Sequence, residues 1–197
     1  MKKISIFTIF LIIIFSNTSN VHSIEADIFV QSTVNRAAKT LSGNLGKKER
    51  IEKLKEIAID TVDINGIGLY SLGSHKKKLT KDQLKKYKKL FSEYFLISFS
   101  SRLAEYSNPE IEVNTKKILN KNYTMVSSTL VSTDKRPEIK IEWRIYTKDT
   151  NNPLIRDLII EGLSLARTQK EEFASILSSN NSDINVLFKT LENFSKN

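Results

Sequence analysis

Apolar and polar residues alternate strictly from Ile139 to Tyr146. Ile139, Ile141, Trp143 and Ile145 fall on one face, and Lys140, Glu142, Arg144 and Tyr146 on the other. A period of two marks a half-buried strand. Strands are predicted over 110–119, 123–132, 138–148 and 154–160, separated by polar turns at Asn120-Lys121-Asn122, 134–137 and Asn151 to Pro153. Elsewhere the apolar period is helical. Val30, Val34, Ala37 and Leu41 predict a helix over 27–41 that Gly43 and Gly46 end. Ile51, Leu54 and Ala58 predict a second over 47–62. Residues 63–72, with Gly66 and Gly68, read as an irregular turn with a short helix that Asp63 can cap, and 73–79 as a basic loop.

The longest predicted helix opens at a Thr80–Gln83 capping box and runs to about residue 106, where Asn108-Pro109 stops it. Its apolar stripe is Leu84, Tyr87, Phe91, Phe95, Phe99, Leu103 and Tyr106. After the strands, Gly162 suits a tight exit and Ser164 can cap a helix carrying Leu165, Phe173, Ile176 and Leu177. A last helix opens at Ser182-Asp183 and carries Ile184, Leu187, Leu191 and Phe194. Four consecutive strands with short turns imply an antiparallel meander. Helices before and after it imply an α+β fold, with helices packed on one sheet face.

The first residues carry a different signal. Lys2 and Lys3 precede an apolar run from Ile4 to Phe15, and Val21-His22-Ser23 fits a cleavage site. The expectation is a signal peptide over 1–23 and one domain over 24–197. The run falls short of the roughly 20 residues that span a bilayer. Export places the protein away from nucleic acid. With no cysteine anywhere, the exported domain is held by packing rather than disulfides and has no thiolate chemistry. The net charge is +9, and eight lysines (76, 77, 78, 81, 85, 86, 88 and 89) face one acid, Asp82, between Ser74 and Leu90. Such a surface suits anionic partners, an anionic membrane surface among them, or simply solvates a helix face.

Candidate chemistry is sparse. His75 is the only histidine after residue 23, and no nucleophile is marked beside it. No metal-ligand spacing and no phosphate loop occur. Glu171 and Glu172 read as surface carboxylates on a helix. No catalytic residue, metal or cofactor is expected. What remains is apolar: an aromatic helix stripe opposite an apolar sheet face, a pattern that ordinarily means a filled core.

A resemblance changes that reading. Trp143-Arg144-Ile145, Asp157 in the next strand, Ile160-Glu161-Gly162-Leu163-Ser164-Leu165 and Thr168-Gln169-Lys170-Glu171-Glu172-Phe173 resemble the MlaC family of periplasmic phospholipid-binding proteins. Thr61-Val62-Asp63-Ile64, Leu72-Gly73 and the aromatic helix from Tyr87 to Tyr106 follow the family's order. Lys170 stands where the family often has arginine, and no tryptophan follows Leu72-Gly73. The resemblance implies a curved four-stranded sheet, a helical layer and a lipid cavity between them. It also implies a periplasmic carrier that shuttles phospholipid between inner and outer membranes and maintains outer-membrane asymmetry. Its implied partners are phospholipid, an inner-membrane ABC-type lipid transport complex and an outer-membrane lipoprotein–porin complex. Ile64, Ile67, Leu72, Phe91, Phe95, Phe99, Tyr106, Ile141, Trp143, Ile145, Leu158 and Ile160 become the expected lipid-binding set, with Lys76, Lys77 and Lys78 for docking. Arg144, facing away from Trp143, is expected at the surface. The alternative is a secreted basic interaction module with a filled core, and behind it a small enzyme.

Overall fold

The computed structural model describes residues 24–134 and 136–196. The expected signal peptide lies outside them. Helices α1 (Ala26–Ser42), α2 (Lys47–Thr61), α3 (Ile64–Ser71) and α4 (Lys81–Leu103) come first. Strands β1 (Ile111–Asn120), β2 (Tyr123–Leu130), β3 (Ile139–Tyr146), β4 (Leu154–Ile160) and β5 (Leu163–Ser164) follow, then α5 (Leu165–Ser178) and α6 (Ile184–Lys196). The strands lie in chain order in one antiparallel curved sheet.

One sheet face carries the core. Thr124, Val126, Ser128 and Leu130 of β2 are buried and alternate with half-exposed residues. Ile141, Trp143 and Ile145 of β3 are buried beside them. Trp143 sits opposite Val126 on one side and Leu158 on the other. Its indole N–H donates to Ser128 Oγ at 2.8 Å, so its one polar atom is satisfied inside the apolar face. The register slips between Arg144 and Ile145, so that Ile145 meets Ile155 while Trp143 meets Leu158. The extra residue lets Ile155 and Leu158 both face inward although they are three apart.

The sheet has five strands where the sequence predicts four. Glu161 (φ 49°) and Gly162 (φ 81°) both take positive φ and form a two-residue hairpin turn. Leu163 and Ser164 thereby pair back onto Ile160 and Ile159. A two-residue strand shows no periodicity, and Ser164 also caps α5 by accepting from the Arg167 amide at 3.1 Å, as its sequence position suggested. The expected basic loop over 73–79 is instead a 3-10 turn, Gly73–Lys78. The predicted capping box is present, with Thr80 Oγ1 accepting from the Gln83 amide at 3.1 Å and Gln83 Oε1 from the Thr80 amide at 2.9 Å.

Helices α3, α4 and α5 meet at an aromatic knot. Phe91 and Phe173 cross at 90° with centroids 6.1 Å apart, and Tyr87 lies 5.7 Å from Phe91. Gly68 admits this approach, since a Cβ there would stand 2.7 Å from the Phe91 ring. The Tyr87 hydroxyl donates to the Gly68 carbonyl at 2.9 Å, and burial pushes its pKa far up.

Candidate functional site

Beyond Phe91, α4 changes character. Tyr94 to Phe99 are only partly buried, although four of those six side chains are large and apolar. Phe95 and Phe99 stack at 5.3 Å with an interplanar angle of 13°. This half of α4 packs against the core and also borders two apolar cavities.

The first cavity, about 140 Å³, lies between α1, α2, the end of α4 and the inner sheet face. Val34, Leu54 and Ala58 line its helical side, with Leu130, Ile141 and Trp143 on the sheet side. The second, about 200 Å³, lies between α4, α5 and β4. Val62, Phe99, Ile155 and Leu158 belong to both linings, so the two spaces share one wall of four apolar side chains. The second cavity alone has a polar rim, made by Arg102 and Ser98 of α4 and Thr168, Gln169 and Glu172 of α5.

The expected lipid-binding residues divide between these places. Phe99, Tyr106, Ile141, Trp143, Leu158 and Ile160 border the first cavity. Ile67, Phe91 and Phe95 border the second, with Phe99 and Leu158 common to both. Leu72 and Ile145 are fully buried in the core, and Ile64 packs against it from a partly exposed position. Sequence reasoning missed the lining from α1 and α2. Their inward faces were legible, but a wall and a core contact share the same helical spacing. It also missed the rim on α5, where Glu172 looks like any surface carboxylate.

Polar anchors hold the frame. Asp157 is 3% exposed. It accepts from Ser164 Oγ at 2.6 Å and from the Ala166 amide at 3.0 Å, and Arg144 lies 3.5 Å away. The carboxylate thus ties β4 to the start of α5, where free amides favour negative charge. Asp63 caps α3 through the Gly66 amide at 2.7 Å and pairs with Arg156 of β4.

Lys76, Lys77 and Lys78 are exposed on the 3-10 turn. They precede a 23-residue α4, about 34 Å long at 1.5 Å per residue. On α4, cavity contacts begin at Phe91. None of the three lysines lines either apolar space. His75 shares a polar recess with Ser182 and Asp183, yet no hydrogen bond joins it to either among the described residues. Among those residues there is also no metal-binding cluster, and no helix is long and apolar enough to cross a membrane.

An α+β scaffold with an apolar space between sheet and helices and a polar rim at one side suits apolar or amphipathic ligands. A model of the MlaC protein family matches residues 30–193, and the chain belongs to that family. In structure it is similar to the phospholipid-binding protein from Ralstonia solanacearum, solved in complex with a phospholipid. The TM-score is 0.74 at 17% identity, over 87% of this chain and 97% of that one.

Proposed function

We propose that this protein is a phospholipid carrier. The observation that carries the reading is the pair of adjoining apolar cavities, walled by half-buried aromatic side chains and open toward a polar rim. Membership of the MlaC family and the fold shared with a phospholipid-binding protein support it.

The physics favours a sheathing carrier. Each buried methylene contributes roughly 0.8 kcal/mol, so the roughly 30 methylenes of a two-chain lipid cost on the order of 20 kcal/mol to expose. Unassisted passage through water is negligible at that cost. Inside the protein the tails meet Phe99, Trp143 and Leu158, while the head group stays at the rim. Membrane and cavity solvate tails comparably, so loading and unloading need no chemical step. The protein is accordingly not an enzyme and needs no cofactor. The cavities, about 140 and 200 Å³, are smaller than the roughly 300–1,000 Å³ of common ligand pockets. Loading therefore moves the shared wall aside, and Phe99, partly buried and in the lining of both spaces, is the group placed to swing.

The finer reading follows the family. The protein works in the periplasm after removal of residues 1–23, with residues 24–197 as its single lipid-binding domain. It shuttles phospholipid between inner and outer membranes and maintains outer-membrane asymmetry, with the ABC-type complex and the lipoprotein–porin complex as partners. Lys76, Lys77 and Lys78 dock the carrier to anionic surfaces.

Native mass spectrometry of protein purified without detergent, followed by organic extraction, tests the central claim. The expected result is a discrete adduct of phospholipid mass. A bare polypeptide that stays bare after incubation with liposomes points to a filled-core interaction module instead. Leu158→Trp places a large ring in the shared wall and is expected to remove most of the adduct while the fold persists. Full retention would remove the wall from the binding site.

A further inference from the structure

Resting on the carrier reading, the rim of the second cavity carries information about the cargo's head group. Arg102 stands on α4 and Glu172 on α5, both exposed and both in the lining of the same mouth. No ion pair joins them, and the Arg102 side chain has no salt bridge or hydrogen bond among the described residues. Glu172 is oriented by a short relay. The Tyr94 hydroxyl donates to Gln169 Oε1 at 2.9 Å, and Gln169 Nε2 donates to Glu172 Oε2 at 2.8 Å. The relay leaves Glu172 Oε1 without a donor. Tyr94 feels both charges: burial and then Glu172 push its pKa up, while the Gln169 hydrogen bond and Arg102 pull it down. Both charges thus line the mouth of the same apolar space.

We infer that this rim selects zwitterionic phospholipids with a primary ammonium, Arg102 taking the phosphate and Glu172 the ammonium. A guanidinium offers paired N–H donors matched to phosphate oxygens. A carboxylate with a free oxygen takes an N–H donor from the ammonium, which a quaternary ammonium cannot supply. A head group of net negative charge meets Arg102 equally well but sets a hydroxyl or a second anion against Glu172. Thr168 and Ser98 leave the mouth polar without adding charge. Selectivity from one exposed charge is modest, about two- to fivefold.

The test incubates delipidated full-length mature protein with vesicles of equimolar phosphatidylethanolamine and phosphatidylglycerol containing a little diacylglycerol, then extracts the repurified protein. The wild type is expected to hold the ethanolamine lipid in about two- to fivefold excess. Glu172→Lys brings the ratio to parity or reverses it. Glu171→Lys makes the same charge change one residue away, outside the lining, and keeps the wild-type ratio. Arg102→Gln lowers uptake of both phosphate lipids relative to diacylglycerol. A wild-type ratio of one, or a ratio unmoved by Glu172→Lys, overturns the inference while leaving the carrier intact. Absence of every lipid from the wild type overturns the carrier reading too.

Discussion

At the scale of single residues, Ser100 and Asp157 show opposite treatments of a buried polar group. Ser100 is fully buried on α4, and its hydroxyl has no hydrogen-bond partner. Such a group costs its desolvation without a compensating bond. Ser100→Ala is expected to leave stability unchanged or raise it by about 1 kcal/mol, read as the urea midpoint. Asp157 is buried with three polar partners from three elements. Asp157→Ala leaves Ser164 Oγ and the Ala166 amide without their acceptor and is expected to cost about 3 kcal/mol or more. A thermal melt within a degree of wild type would show that water replaces the carboxylate at no cost. The sequence made Asp157 visible only by resemblance, because one acid in an apolar strand says nothing about which amides it faces.

Among elements, the join of α1 to the edge strand β1 is electrostatic. Lys116 pairs with Glu25 and, at 2.9 Å, with Asp27. Its hydrogen bond, against some desolvation, holds Asp27 below the ordinary carboxyl value of 3.8. A depressed folded pKa contributes stability that is present at neutral pH and lost as pH falls from about 4 through the folded value. Lys116→Ala is therefore expected to destabilise at pH 7 and to converge with wild type by about pH 2, in urea titrations at both. An equal gap at both pH values would assign the effect to packing. The elements themselves were largely legible. Strict alternation found β3 because burying one face fixes which residues point inward, and Thr80–Gln83 found the start of α4 because a capping box needs only local spacing. β5 was not legible, because its pairing depends on two positive φ angles and no side-chain period. The 3-10 turn after Leu72 was missed for a related reason, since a run of lysines carries no apolar spacing.

For the whole molecule, the layered α+β plan followed from element order, but the hollow did not. Val34, Leu54 and Trp143 have the spacing of core residues whether the facing side chain touches them or stops short. Whether apolar faces meet depends on the summed volume between α1, α2, α4 and the sheet, a three-dimensional quantity. The family resemblance pointed to a cavity where periodicity could not, yet it left the rim on α5 unread.

The hollow couples stability to occupancy. Unfilled core space costs about 24 cal/mol per Å³, so the cavity of about 140 Å³ represents a deficit of about 3 kcal/mol against a packed interior. Acyl chains that fill it return that deficit to the folded state by mass action. Delipidated protein is thus expected to melt at lower temperature than loaded protein, by an amount that grows with free lipid. Under the proposed function, its melting temperature becomes a gauge of cargo, and protein that has just delivered its lipid is, for that interval, the species most exposed to proteolysis.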